Sequence, residues 1–303
     1  MQWIQPPIQY IEPLFRPPSE ANSLILQVTN GCSWNKCSFC EMYTAPQKKF
    51  KPKAEDQVLA EIQRCGELYQ GVKQVFLADG DALALSFRRL ESILSAIREH
   101  LPSVERVSAY CLPQNLRNKS LEELQRLHEL GLSLVYVGAE SGSNTILRKV
   151  NKSETFDSTL EALLKLKAAG IQTSVMIISG LGGKVYSQEH ALESARLINA
   201  AQPEYLATLT LFFRNGPERF KQAFGDDYIP ADAVDVFREL HLFISQLELT
   251  NTVFRSDHVS NHLILKGTLN RDRLKMLKQT EQTIRLAESG EVEFDAYEPT
   301  PHA

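Results

Sequence analysis

Asn30-Gly31-Cys32-Ser33-Trp34-Asn35-Lys36-Cys37-Ser38-Phe39-Cys40 is the stretch that decides how this chain reads. Its three cysteines are spaced C-x4-C-x2-C, and a strand-like run, Leu24-Ile25-Leu26-Gln27-Val28-Thr29, leads into them. Soft thiolate ligands suit an iron–sulfur cluster and zinc alike. A structural zinc site closes with four protein ligands, and this loop offers three. A four-iron cluster held by three cysteines keeps one iron open to a reacting ligand. Cys32, Cys37 and Cys40 are therefore expected to be the metal ligands of a catalytic centre. A zinc ribbon would supply a second ligand pair with its own short spacing. Here Cys65 falls on the apolar face of a helix, Cys111 is isolated, and His258 with His262 has no neighbouring ligand. The cluster is the preferred reading. A zinc-containing binding or scaffold protein is the rival from another class.

Composition bounds the rest. The 303 residues are 43% apolar and 23% charged, ordinary for a globular chain with room for one large α/β domain or a domain with an appendage. A formal net charge of −4 argues against a nucleic-acid partner. No apolar run approaches the roughly 20 residues that cross a bilayer, so no membrane association is expected. Met1 to Pro7 lacks the charged and apolar segments of a secretory signal, and five unevenly placed cysteines do not make a disulfide framework. A reducing, cytoplasmic location is expected. The basic run Lys48 to Lys53 reads as a solvated loop.

Outward from the cysteine loop, strand and helix patterns alternate. The proline-rich residues 1–22 read as an extended arm. Strands are expected at Val72–Ala78, Val104–Cys111, Leu132–Gly138, Ile171–Ile178 and Tyr205–Phe212, besides the first. Helices fall between them; one opens with a Ser120/Glu123 capping box and ends at Gly131. Six βα units wind right-handedly into a curved sheet two strands short of a full barrel. The fold class is α/β: a partial (βα)6 TIM-like barrel over residues 23–214, with a helical extension at 215–303 closing it. Two helices, near Ala231–Leu247 and Arg271–Ala287, are expected there with a short extended piece between.

With the loop and the βα period in view, the chain resembles the radical S-adenosylmethionine (SAM) superfamily from about Ser23 to Phe213. The family's commonest loop is C-x3-C-x2-C with an aromatic residue before the last cysteine. Phe39 holds that place, and the first gap here is one residue longer. The Gly-Gly-Glu-like turn after the second strand corresponds to Asp79-Gly80-Asp81, with Asp81 in the acidic position facing the methionine amino group. Val137-Gly138-Ala139-Glu140-Ser141-Gly142 resembles the family's Glu-Ser-Gly turn, where Glu140 faces the ribose hydroxyls. Arg148 to Lys152 resembles the segment that gives the SAM carboxylate a cation, Lys152 first and Arg148 second. Gly180, in Ile178-Ser179-Gly180-Leu181-Gly182-Gly183, is similar to the adenine and ribose contact. Independently of the family, these residues lie just past strand carboxyl ends, where parallel barrels gather their sites. SAM itself asks for an ammonium acceptor, a cation and hydroxyl acceptors.

The resemblance implies a [4Fe–4S] cluster and SAM as cofactors. It implies reductive cleavage of SAM to a 5′-deoxyadenosyl radical that abstracts hydrogen from a small or medium-sized substrate. An external flavodoxin- or ferredoxin-type donor supplies the electron, since no second cluster motif is present. A tRNA methylthiotransferase is disfavoured by the absence of a preceding cysteine triad, and a porphyrin-precursor oxidase-like reaction stays open. The polar segment after Phe254 offers Arg255, His258, Asn261 and Lys266 as substrate contacts, or is a surface loop. Tyr110 and Cys111 end the third strand, where a thiol can donate hydrogen to a radical; with His258 they are the candidate catalytic groups, against a core role for Cys111.

Overall fold

In the computed structural model, residues 7–294 are described. Residues 1–6 of the expected arm and 295–303 of the expected extension lie outside them. The strands are β1 (Leu24–Gln27), β2 (Thr29–Asn30), β3 (Lys51–Pro52), β4 (Gln74–Ala78), β5 (Arg106–Tyr110), β6 (Leu132–Glu140), β7 (Gln172–Ser179), β8 (Tyr205–Thr210), β9 (Thr252–Ser256) and β10 (Leu265–Leu269). The helices are α1 (Glu55–Leu68), α2 (Phe87–His100), α3 (Leu121–Glu129), α4 (Asn144–Lys149), α5 (Phe156–Ala168), α6 (Gly183–Ala201), α7 (Glu218–Phe224), α8 (Ala233–Ser245) and α9 (Arg273–Glu288). The main sheet has eight strands in the order β1-β4-β5-β6-β7-β8-β9-β10, and β2 with β3 forms a separate antiparallel pair.

The chain divides into two compact units. The first holds the residues through Asn35, Met42–Val137 and Leu164–Thr173. Within it β1, β4, β5 and the start of β6 pair in parallel. Val75, Phe76, Leu77 and Ala78 of β4 are all buried, as a strand covered on both faces should be. Leu90, Ile93, Leu94 and Ile97 of α2 recur at helical spacing and are buried, as are Leu124 and Leu127 of α3. The Ser120–Glu123 capping box forms, with bonds of 2.8 and 3.1 Å.

The second unit holds Lys36–Glu41, Gly138–Leu163 and the chain from Ser174 onward. There β7, β8 and β9 run parallel, and β10 returns antiparallel to β9. The short extended piece expected between the last helices is thus a hairpin that lengthens the sheet. Its outer strand packs on α9, while α8 packs on α6 and α9.

One expectation is corrected. The basic run is solvated at Lys49 and Lys51 but not at its start: Lys48 is wholly buried, its ammonium paired with the equally buried Asp79 and donating to the Ile11 carbonyl at 2.9 Å. Lys53 pairs with Glu61 at 2.7 Å. A charge leaves water only when paired and hydrogen-bonded, and Asp79 is the partner that draws Lys48 inward. Burial pushes the Asp79 carboxyl above its ordinary range while Lys48 pulls it back. Lys48→Met leaves Asp79 uncompensated and is expected to cost about 3–5 kcal/mol of stability. Chemical denaturation checks this, and adding Asp79→Leu is expected to restore most of the loss.

Candidate functional site

The cysteine loop is irregular backbone held from several sides. Gly31 adopts φ +68°, and a Cβ there would meet the Lys48 carbonyl oxygen at 2.1 Å, so glycine alone permits this entry turn. The Asn30 amide donates to the Gln47 and Lys49 carbonyls at 2.6 and 3.0 Å. Further along, the Ser38 N–H donates to the Val150 carbonyl at 2.9 Å and Cys40 N–H to Cys37 at 3.2 Å. Arg219 donates to the Cys37 carbonyl. The Glu41 carboxylate accepts from the Arg214 and Asn215 amides at 2.6 and 3.2 Å. Phe39 packs against the apolar cluster of Ile146, Val150, Ile178, Leu181, Phe220 and Phe224.

Cys32, Cys37 and Cys40 are not in disulfides, and each is half-buried. Among the described residues no three His, Cys, Asp or Glu side chains stand in metal-holding geometry. The donor set still fits an iron–sulfur cluster in kind and number, with soft ligands on one pinned loop.

The turn after β4 is occupied differently from the expectation. Asp79 is committed to Lys48, and Gly80 abuts the Tyr43 ring. Asp81 is wholly buried and accepts from the side chains of Ser33 and Asn115 and from the backbone of Ser33 and Leu112. Burial raises its carboxyl despite those donors. Its nearest task is to brace the loop residue next to Cys32.

At the end of β6, Glu140 sits in the left-handed region at φ +64°, a conformation a non-glycine residue holds only when its surroundings impose it. Its carboxylate lies 3.3 Å from the Lys152 ammonium, with both side chains nearly buried. Arg148 is exposed at the end of α4. Ser141 is turned to His190 at 2.8 Å. Gly180 follows β7 at φ +80°, and its N–H donates to Glu239 at 2.7 Å. The structure thus brings Glu140 and Lys152 together as an acid–base pair at one strand end.

The tail residues separate into roles. All four hydrogen-bonding positions of the Asn261 amide are used: it donates to the Thr208 carbonyl and Ser256 hydroxyl and accepts from the Thr210 N–H and hydroxyl. Asn261 clamps its loop to β8. His258 stacks on Phe212 with centroids 5.7 Å apart. Its Nδ1 lies 2.8 Å from the Ser260 hydroxyl and 3.1 Å from the Ser260 N–H; burial, then the Arg214 charge, lowers its pKa. Arg255 and Lys266 stand opposite each other across β9 and β10, both exposed, with Lys266 paired to Asp257 at 2.8 Å. Cys111 is buried, and Tyr110 packs edge-on to Phe76 at 5.2 Å. Asn115, His190, Arg219 and Glu239 are not singled out by the sequence. Only Glu239 carried a signal, an acid within the apolar stripe Val236, Leu240, Phe243.

The Glu140 geometry depends on its neighbour. A Cβ on Gly138 would fall 2.0 Å from Glu140 Oε1. Gly138→Ala is therefore expected to push the carboxylate aside and, where Glu140 contacts SAM as the family resemblance implies, to weaken SAM binding by about tenfold or more, the size of one lost charge-assisted hydrogen bond. Equilibrium dialysis checks it, and unchanged affinity would remove Glu140 from the ligand.

Comparison with known proteins bears on the whole arrangement. Residues 26–198, more than half of the chain, match the model of the Radical SAM superfamily. The chain is 22% identical over 172 residues to 4′-phospho-dehydrooxetanocin synthase of Priestia megaterium, covering 52% of this chain and 23% of that protein. It is 28% identical over 206 residues to tRNA-2-methylthio-N(6)-dimethylallyladenosine synthase of Psychrobacter sp. (strain PRwf-1), covering 64% of this chain and 40% of that protein. The chain therefore spans less than half the length of these curated relatives. Coproporphyrinogen III oxidase from Escherichia coli superposes with a TM-score of 0.56 at 20% identity, over 74% of this chain and 52% of that one. At that identity the likeness is one of fold. The chain belongs to the radical SAM superfamily, whose cofactors are a [4Fe–4S] cluster and S-adenosylmethionine.

Proposed function

We propose that this chain is a radical SAM enzyme in which Cys32, Cys37 and Cys40 hold the [4Fe–4S] cluster. The observation that carries the reading is a loop of three half-buried cysteines outside any disulfide, with no fourth cysteine or histidine in it. When bound, the cluster supplies the electron that cleaves the SAM sulfonium, giving a 5′-deoxyadenosyl radical that takes hydrogen from substrate. Lys152 gives the SAM carboxylate a counter-charge, and Glu140 accepts from the ribose hydroxyls. Their mutual pairing keeps both charges neutralised before the ligand arrives. Gly180 and its turn offer backbone for close approach to the adenine. Asp81 acts through Ser33, steadying the Cys32 side of the loop, and is a positioning residue in this account.

The electron comes from outside. Lys36, Arg214 and Arg219 are exposed on or against the Cys37 side of the loop, so an acidic low-potential carrier of the flavodoxin or ferredoxin kind suits that surface. No helix among the described residues is long and apolar enough to cross a membrane. The cytoplasm supplies the reducing setting that a thiolate-held cluster needs. The substrate is a small or medium-sized molecule. Activities of the relatives stay with those proteins, most of whose length this chain does not span.

Anaerobic reconstitution followed by dithionite and SAM tests the proposal. Release of 5′-deoxyadenosine is expected from the wild type and from no variant in which Cys32, Cys37 or Cys40 is alanine. Colourless protein carrying one zinc, or release that survives Cys37→Ala, would overturn it.

A further inference from the structure

Beyond the family-matched residues 26–198, helix α8 sends one carboxylate into the core of the second unit. Glu239 is buried, and both of its oxygens are engaged: Oε1 accepts the Gly180 N–H at 2.7 Å, and Oε2 accepts the Ser187 hydroxyl at 2.9 Å. His190 is buried beside it, with Nε2 3.8 Å from Oε1. That nitrogen donates to the Ile178 carbonyl at 2.9 Å, while Nδ1 bonds the Ser141 hydroxyl at 2.8 Å. Ser141 in turn accepts the Ser143 N–H at 3.0 Å, which fixes the turn that follows Glu140. One continuous polar chain therefore runs from the turn after β7 to the turn after β6.

We infer that Glu239, acting with His190, positions the two turns proposed to receive the adenosine of SAM, so that a helix outside the family-matched segment sets their spacing. The inference rests on the SAM-binding reading above. Three observations support it. A carboxylate is costly to bury, and this one is not matched to a surface lysine or arginine but to a glycine amide at a strand end. The Gly180 N–H is spent on Glu239, so the turn's orientation follows from that bond. The imidazole joins strand, turn and helix at once, and a network in which every member is satisfied rigidifies what it touches. Burial raises the Glu239 carboxyl, with His190 opposing the shift.

The test uses cluster-reconstituted protein and equilibrium dialysis of SAM, with iron content and thermal unfolding measured in parallel. Glu239→Ala is expected to weaken SAM binding by about tenfold or more with iron content unchanged. Glu239→Gln keeps an acceptor for Gly180 and is expected to recover part of that loss. Phe243→Ala removes a buried neighbour on the same helix and is expected to lower the unfolding temperature while leaving SAM affinity within about twofold. Wild-type affinity in Glu239→Ala, or an equal loss in Phe243→Ala, would overturn the positioning role. Should Glu239→Ala not fold, the cycle of Glu239→Gln with Ser141→Ala decides: coupled losses support the network, and strictly additive ones refute it. Wild-type protein that takes up no SAM overturns the proposed function itself, and this inference with it.

Discussion

A lysine ammonium in the dry interior, closed against one aspartate, is the constraint on which the cysteine loop depends. Lys48 and Asp79 are both wholly buried, and neither can stay there alone. Asp79 directly follows β4, while Lys48 lies on the chain returning from the cysteine loop. Pairing them fixes where that return passes, and Gly31 fits beneath the Lys48 carbonyl with no room for a side chain. Two residues on from Asp79, Asp81 takes hold of Ser33. A segment with almost no regular structure is thus given a defined course by buried carboxylates at one strand end.

The second unit applies the same chemistry to different ends. Glu140 closes β6 and meets Lys152, and Glu239 meets the Gly180 amide after β7. In each case an acid is held where a parallel strand stops, the position at which this architecture collects its chemistry. Low exposure strengthens such pairs and makes their disruption expensive. The segment Arg214 to Arg219 adds direct bonds to Cys37 and Glu41, so the loop is also tied to residues far along the chain.

Much of this is legible in the sequence itself. The parallel strands show as short apolar runs because both faces are covered, and Val75–Ala78 is one such run. The capping box at Ser120 marked a helix start through local bonds alone. The triplet of cysteines, Glu140, Lys152 and Gly180 stood out through residue type and order. What escaped depends on contacts between distant residues. Lys48 looks solvated because its neighbours are lysines, and only Asp79, far away in sequence, makes it a core residue. The β9–β10 hairpin was hidden because β9 finds its parallel partner in β8, across α7 and α8, and β10 carries Gly267 at its centre. Asn261 looked like a ligand contact, and its amide turns out to serve the backbone of β8.

The central claim is that three thiolates hold a four-iron cluster and leave one iron free for SAM. Electron paramagnetic resonance of the anaerobically reduced protein, recorded with and without SAM, addresses it most directly. The account predicts a reduced-cluster signal whose g-values shift when SAM is added, and loss of the signal in Cys37→Ala. A signal indifferent to saturating SAM, or none from fully reconstituted protein, would contradict it.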